Sequence, residues 1–567
     1  NPEALDEKLK QIVKENYLPV GQNETDLNLL SLSEYHAAEE SNQTLIVILS
    51  IIAFGIISIA IVNFINLTIT SVLSRIKEIG IKKVHGASRS ELFGQILTES
   101  FAVSFVALFL GLGLMAVFLP SFNSLFETKL HFAPFQNLVF IWIPLLIWAV
   151  VGILSGFIPS FFWARGKLTE SLKGNTYSGS RSSAARPSLI VIQFSIAIVL
   201  ISGTFLVRKQ VKAMMEKDPL FDTENVIITE LQPWQFPDLE KTSNQYKRIA
   251  AEMEESPLVE ALSFSQCFPG YYGENYNGFY PQGENLPESI HLRKAYVGEN
   301  YFKTFGIKIL SGHGFEKGSV DFENAIVLNK AATQLLGYRE ANGQILNESS
   351  TSGDIRKLVG IVDDFSYQGV QYKAQPLVHI FADQEDFTNW GFFSIKAKKG
   401  ASLQVLDQLK EKWSAVFSGI EPKFYFADEK LNEQYKEYIK INTLVAWFSI
   451  LAVLLSCMGL FALASYSMAK RTKEIGIRKV NGAKVYEILI LLNKDFLKWV
   501  LMSFIIAVPI AWYGMHHWLE GFAYKTTISW WVFGVAGVLA IGIALLTVSW
   551  HSLNAAMANP VDALKEE

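Results

Sequence analysis

Few residue groupings in this chain have the types and spacing that chemistry needs, and most of those point to structure. Cys267 and Cys457 are the only cysteines, and Cys457 lies in an apolar run. Neither a disulfide framework nor a cysteine-based zinc site can be built from them. His516 and His517 are adjacent, so on a helix their rings diverge instead of converging on a metal as an i, i+4 pair would. A place at a membrane interface suits them better. Neither H-E-x-x-H nor G-x-S-x-G occurs. Gly166-Lys167 is followed by Leu168 and has no glycine five residues earlier, so the chain lacks a phosphate-cradling G-x-x-x-x-G-K-[ST] loop. Asp363 and Asp364 are neighbouring carboxylates behind a strand-like run, where turn chemistry outweighs catalysis. Gly152 and Gly156 form a G-x-x-x-G pair whose default meaning is close helix packing.

One grouping resists such dismissal. Residues 75–91, RIKEIGIKKVHGASRSE, align without gaps to residues 471–487, RTKEIGIRKVNGAKVYE. Eleven of the seventeen positions are identical, at an offset of 396 residues (75 to 471). A weaker echo joins 167–173 to 559–565. In each copy Gly86 or Gly482 ends one helix. Ser88-Arg-Ser-Glu91 then has the spacing of a capping box that starts the next, and the second copy keeps Glu487 but has Lys484 in place of the capping serine. The expected local structure is a hairpin of two helices, made twice. Membrane topology alone would ask for basic residues here, but it would not ask for eleven identities. The candidate functional residues are therefore Arg75, Lys77, Glu78, Gly80 and Gly86, with their counterparts Arg471, Lys473, Glu474, Gly476 and Gly482. Glu78 and Glu474 are the least explained, because a carboxylate at this place is not what topology selects. The plain alternative is an intrahelical pair with a base such as Lys82 or Arg478.

The elements that must carry these hairpins follow from composition and hydropathy. Charged residues make up 18% of the 567, against roughly 25% in an ordinary soluble protein. The apolar class reaches 50%, with 13 Trp and 40 Phe, which excludes disordered, collagen-like and coiled-coil chains. Fifty Lys and Arg against 54 Asp and Glu leave a net charge of −4 and no basic field for nucleic acid. Seven runs are long and charge-poor enough to cross a bilayer: about 44–73, 97–120, 137–163, 189–207, 442–468, 496–514 and 530–549. Loops 74–96, 164–188 and 469–487 hold the Lys and Arg excess, whereas 121–136 and 515–529 carry only Lys129 and Lys525. The basic loops and the C-terminus are thus expected in the cytoplasm, and residues 208–441 outside. That segment reads as a mixed α/β domain. Strand-like runs at Val226–Ile228, Lys357–Val362 and Phe392–Lys396 alternate with helical stretches near 240–255, 326–336 and 402–416. Its stretch Tyr271, Tyr272, Tyr276, Phe279, Tyr280 is either a ligand-facing patch or a loop packed on its own domain.

These residues resemble the FtsX/MacB-type permeases, the membrane subunits of a class of bacterial ABC transporters, in a tandem form with two permease domains. The most specific pieces are Asn63-Phe-Ile-Asn66-Leu, then Arg75, Lys77-Glu-Ile-Gly80, Gly86-Ala87 and Glu99. In the outside domain they are Glu299-Asn-Tyr-Phe302 with Gly306 and Gly312, and Gly360-Ile-Val-Asp-Asp364-Phe365; Phe522-Ala-Tyr524 follows near the end. One departure stands out: Asn63 and Asn66 become Gly459 and Ala462 in the second copy, so the halves are not chemically equivalent. The resemblance implies an α-helical polytopic membrane protein of the bacterial cytoplasmic (inner) membrane, with an inserted mixed α/β extracytoplasmic domain. Seven transmembrane helices are expected in this chain and eight in a full protein whose first span and first outside domain would precede Asn1.

The expected divisions are 1–43, the end of that first outside domain; 44–173, a first permease domain; 174–207, a linker and fourth span; 208–441, the MacB-like periplasmic domain; and 442–567, a second permease domain. The resemblance assigns the hairpins to coupling with ABC ATPase subunits, two copies in all, which would bind the Mg-ATP. No cofactor is expected on this chain, and the Leu310-Ser-Gly-His-Gly314 run, superficially like an ABC signature, reads as a turn. Further implied partners are membrane lipids, a periplasmic adaptor and an outer-membrane channel. The implied activity is ATP-driven export or extraction of antimicrobial peptides, drugs or lipoprotein-like cargo. The alternative is a signal relay that regulates a cell-wall hydrolase and moves nothing. An ion-coupled carrier would need ionisable groups near mid-bilayer, which the spans lack.

Overall fold

The computed structural model describes residues 40–131, 139–164, 180–231, 238–271, 275–282, 290–315, 324–341, 343–348, 354–367, 369, 372–382, 391–417 and 422–557, with Leu5 and Lys8. Most of the expected end of a first outside domain (1–43) and all of the 167–173 and 559–565 echo lie outside these residues. In chain order the elements are helices α1 (Glu40–Ser74), α2 (Ile76–Val84), α3 (Arg89–Phe126), α4 (Val139–Ala164) and α5 (Ser180–Met215). There follow β1 (Val226–Glu230), α6 (Leu239–Glu254), β2 (Val259–Ser265), β3 (Tyr276–Pro281), β4 (Ile290–Val297), α7 (Tyr301–Thr304) and β5 (Ile309–Gly312). Then come β6 (Ala325–Asn329), α8 (Lys330–Leu336), β7 (Ile345–Glu348), β8 (Ile355–Val362), β9 (Leu377–Phe381), β10 (Phe392–Ala397), α9 (Ser402–Val416) and β11 (Phe424–Phe426). The chain closes with α10 (Ala427–Val480), α11 (Val485–Glu520) and α12 (Trp530–Met557).

Two compact units emerge: a sheet unit of residues 210–439 with 519–526, and a helical unit built on the remaining helices. Among the described residues six stretches are long and apolar enough to cross a membrane: Ile46–Val72, Ser90–Phe126, Pro187–Met215, Ala427–Ser465, Val485–Glu520 and Trp530–Trp550. The remaining expected run, 137–163, is helical over its described residues as α4, but its apolar stretch there is the shorter Ile141–Phe157. The G-x-x-x-G pair packs as its spacing suggests. A Cβ on Gly152 would stand 2.8 Å from the Phe101 ring, and one on Gly156 would stand 2.8 Å from Leu97 Cδ1, so α3 lies directly against α4. Trp148 Nε1 donates to the Phe101 carbonyl across the same contact at 3.3 Å.

One apolar cluster of the helical unit joins Ile52, Ile56 and Ile59 of α1, Phe448, Ala452 and Leu455 of α10, and Ala197 and Leu200 of α5. Each of these α1 residues lies 396 positions before its α10 partner. The two copies therefore meet through equivalent positions, as in a self-complementary two-fold interface.

The sheet unit is built by a βαββαβ framework. Strands β1, β2, β10 and β11 pair in the order β11-β1-β10-β2, all antiparallel, with α6 and α9 supplying the crossovers. Tyr246, Ile249 and Met253 of α6 and Val405, Leu409 and Trp413 of α9 cover one face of this sheet. The chain between β2 and β10 forms a closed ring, β4-β3-β7-β8-β6-β9, which returns to β4 through a parallel β4–β9 ladder from Arg293↔Leu377 to Val297↔Phe381. Closure removes the sheet edges and encloses Phe279, Leu292, Ile326, Leu328, Leu346, Leu358, Val378 and Ile380. One expectation is corrected here. Residues 326–336 are not one helix: Ala325–Asn329 is a strand between β8 and β9, and the helix starts only at Lys330. Burial of Ile326, Val327 and Leu328 on both sides of the ring overrides the helical reading.

Candidate functional site

Both hairpins form, and by the local chemistry their sequence implies. Gly86 and Gly482 take φ of +94° and +88°, a left-handed conformation that a side chain disfavours. The amide of the next residue then reaches back over the helix end, Ala87 to the Lys82 carbonyl and Ala483 to the Arg478 carbonyl, each at 3.0 Å. Ser88 caps α3 through a reciprocal box with Glu91, at 3.2 and 2.8 Å. In the second copy Glu487 still accepts from the Lys484 amide at 2.9 Å, but Lys484 offers no hydroxyl in return. Gly80 and Gly476 are buried in their arms.

Ion pairs then join the two arms of each hairpin, and they repeat at the same offset. Arg75 bridges α2 and α3 to Glu99 at 3.3 Å, and Arg471 bridges α10 and α11 to Asp495 at 3.0 Å. Lys82 Nζ donates to Gln95 Oε1 at 3.2 Å, which ties the first hairpin again nearer its tip. Glu78 pairs with Lys82 at 2.9 Å and Glu474 with Arg478 at 2.7 Å, each one turn along its own helix. The hydrogen bond and charge of Lys82 hold the Glu78 carboxyl below its ordinary range. Both intrahelical pairs were the plain alternative for these carboxylates, and both are present, with about half of each Glu side chain still open to solvent. The side chains of Lys77 and Lys473 lie outside the described ones. The arms differ in one respect: the first breaks at Arg75, whose amide turns back to the Val72 carbonyl at 3.2 Å, whereas α10 runs unbroken through Arg471.

The other groupings resolve as structure. Asp364 accepts from Asn329 Nδ2 at 2.9 Å and from the Ala331 amide at 3.0 Å, fixing the start of α8; its burial pushes its carboxyl up. His516 stacks on Trp512 at 5.0 Å, with both rings exposed. Among the described residues no cluster of His, Cys, Asp and Glu could hold a metal. The Leu310–Gly314 run is a strand end more than a turn, and a Cβ on Gly312 would collide with the Val359 carbonyl of β8. Of the aromatic stretch, Phe279 is fully buried, Tyr271 stacks on Phe268, and Tyr276 lies over the Arg293 guanidinium and accepts from it at 2.5 Å. Tyr272 lies outside the described residues. Cys267 is buried.

Two groupings escaped sequence reasoning. Glu348, 3% exposed, accepts from Asn277, Lys294 and Arg356 at 2.7, 3.1 and 2.9 Å. His379 of β9 is wholly buried against the rings of Tyr301, Phe302 and Phe365, which pushes its imidazole down to about 3. Neither has a local signal, because each partner set is assembled by strand pairing and packing.

A chain of two homologous membrane helix sets, each led by a capped basic hairpin, with a sheet unit inserted between them, defines a tandem polytopic permease. The FtsX-like permease C-terminal family matches it twice, at residues 50–167 and 446–560, and the chain belongs to this family as an FtsX/MacB-type permease with tandem domains. Among curated relatives, the macrolide export ATP-binding/permease protein MacB of Chromobacterium violaceum is 23% identical over 285 residues, 48% of this chain and 43% of that one. MacB 2 of Aeromonas hydrophila is 32% identical over 200 residues, 34% of this chain and 30% of that one. The alignments thus span less than half the length of these relatives. A solved permease-protein domain from Porphyromonas gingivalis matches 36% of this chain and 90% of its own at 12% identity, with a TM-score of 0.26 too low to bear on the fold.

Proposed function

We propose that this chain is the membrane permease subunit of an ATP-driven export or extraction system, and that its two hairpins seat separate ATPase subunits, one each, on which Mg-ATP is bound. The observation that carries this reading is the duplicated strut: Arg75–Glu99 and Arg471–Asp495 stiffen the two arms at equivalent positions, as paired docking levers would require. The absence of a phosphate-cradling loop in the sequence supports placing ATP hydrolysis on a partner. In this reading the hairpins face the cytoplasm of a bacterial inner membrane, seven helices cross it, and the sheet unit lies outside. Nucleotide-driven closure of the helices is relayed mechanically to that unit through α10, which is continuous for 54 residues. The names of the relatives favour drug-like cargo among the candidates of peptide, drug and lipoprotein. A periplasmic adaptor and an outer-membrane channel complete the expected path.

Glu78 and Glu474 are the proposed coupling contacts. The test is the Glu78→Lys, Glu474→Lys double variant, beside a control in which Lys82→Glu and Arg478→Glu restore each intrahelical pair in reverse. Coupling predicts that both variants fold and that both lose the ATPase or its cargo-linked activity, with unequal effects from the two single changes. Rescue by the restored pairs would reduce these residues to helix stabilisers, and unchanged cargo-linked hydrolysis in the double variant would remove them as contacts. ATP turnover tuned by a cell-wall hydrolase, with no cargo response, would move the assignment to a signal relay.

A further inference from the structure

The departure between the halves at Asn63 and Gly459 marks a polar seam inside the helical unit. Asn63 of α1 donates from Nδ2 to the Leu455 carbonyl of α10 at 2.6 Å. That carbonyl lies one turn before Gly459, whose missing side chain leaves it open. A Cβ on Gly459 would overlap Asn63 Oδ1 and stand 2.9 Å from both amide atoms of Gln193. Gln193 of α5 donates to Asn63 Oδ1 at 3.3 Å, and Ser456 Oγ donates to the Gln193 carbonyl at 3.4 Å. Asn63 is 7% exposed and Gln193 is fully buried. Positions 63 and 459 are repeat equivalents that meet, and the Asn63 amide occupies the space a side chain at 459 would take. The seam is a key in a slot.

One turn further along α1, Asn66 is also fully buried, yet neither its Nδ2 nor its Oδ1 has a hydrogen-bond partner among the described residues; Gln193 Oε1 has none either. An unsatisfied amide inside a hydrocarbon-facing bundle is expensive, and nothing in the packing needs one there. Asn63 and Asn66 are three residues apart, about 4.5 Å along a helix axis. Their counterparts, Gly459 and Ala462, carry no amide.

We propose that Asn63, Gln193 and Gly459 form a latch between the two permease halves and that Asn66 is its second catch. Sliding α1 one turn along α5 hands Gln193 from Asn63 to Asn66. The amide stranded in one register is the one satisfied in the other, which makes two discrete registers of a packed interface rather than a continuum. That ATP drives the exchange rests on the proposed function; that two registers exist does not.

Disulfide trapping in the full chain reconstituted in lipid nanodiscs tests this, in a Cys457→Ala background. The Asn63→Cys, Gln193→Cys pair should cross-link at once. The Asn66→Cys, Gln193→Cys pair should cross-link at least tenfold more slowly but to completion, and a Thr70→Cys, Gln193→Cys pair, beyond the slip, should not. If the 66–193 pair forms no faster than the 70–193 pair, the latch has one register and the proposal fails. Acceleration of the 66–193 pair by ATP in the assembled complex supports the latch and the ATP-driven reading together. Completion without any response to ATP keeps the latch and counts against that reading. Because cysteines remove the amides, thermal unfolding gives an independent check. Asn66→Leu should raise the midpoint by several degrees, since it removes a stranded amide, and Gln193→Leu should lower it. A lowered midpoint for Asn66→Leu would show that Asn66 is already satisfied and overturn the proposal.

Discussion

Reversing the strut that joins the arms of each hairpin separates its mechanical role from its charge. In the first hairpin Arg75 and Glu99 are each about half exposed, at 51% and 48%, and 3.3 Å apart. A pair so open to solvent contributes only about 0.2–1 kcal/mol. Arg75→Glu replaces that attraction with a repulsion of about 1 kcal/mol, taken at the dielectric constant of water and this separation. The total loss is about 2 kcal/mol or less, and 0.15 M salt screens much of it. The left-handed Gly86 and the Ser88–Glu91 box hold the turn independently, so the variant remains folded. On the proposed coupling role, its cargo-linked ATPase rate should nevertheless fall at least tenfold, because a hairpin with unjoined arms would bend instead of transmitting displacement. The swap Arg75→Glu, Glu99→Arg should recover most of that rate, since the second hairpin achieves the same bridge with the shorter Asp495. The assay pairs thermal unfolding in nanodiscs with ATP hydrolysis by the assembled complex. A folded swap variant as inactive as the single reversal would mean that Arg75 acts by touching the ATPase. Single reversals with full activity would mean that the strut does nothing.

Three further outcomes follow from the sheet unit. Burial holds His379 uncharged down to about pH 3, whereas the unfolded chain takes up that proton below about 6.5. The unit should therefore lose about 1.4 kcal/mol per pH unit as pH falls from 6.5 towards 3; His379→Phe should flatten that slope, measured by unfolding between pH 6.5 and 5. Burial alone would raise the Glu348 carboxyl, but donation by Asn277, Lys294 and Arg356 holds it below its ordinary value. Its stabilisation is thus complete above the ordinary carboxylate value of about 4.3 and disappears as pH falls through the lowered one. Glu348→Gln should cost about 3 kcal/mol at pH 7 by stranding two cations, and an undiminished midpoint would contradict the pairing. For topology, Leu403→Cys places a thiol at a site 70% exposed on α9, which a membrane-impermeant reagent should label in intact cells while buried Cys267 stays protected. Labelling only after the membrane is opened would reverse the orientation.

Much of the candidate site was legible because its chemistry is local. A glycine that must turn left-handed, a serine and a glutamate at capping distance, and a basic tip on a charge-free span each act within a few residues of themselves. The repeat then announced that whatever happens at Arg75 and Glu78 happens again at Arg471 and Glu474. The charge-free runs dictated helices for the same reason, since a backbone in hydrocarbon must satisfy its own hydrogen bonds. The struts were not legible, because 24 residues and a turn separate Arg75 from Glu99. Strand pairing decided the rest of the sheet unit: the β4–β9 ladder brings His379 into a core, while β3 and β8 on either side of β7 bring Lys294 and Arg356 to Glu348. It also made a strand of Ile326–Asn329, where local periodicity read as helix. At the seam the sequence showed that Asn63 becomes Gly459 but could not say why. Only the packing of α1 on α10 shows that these positions meet, so that the amide of one half occupies the space the other half leaves empty.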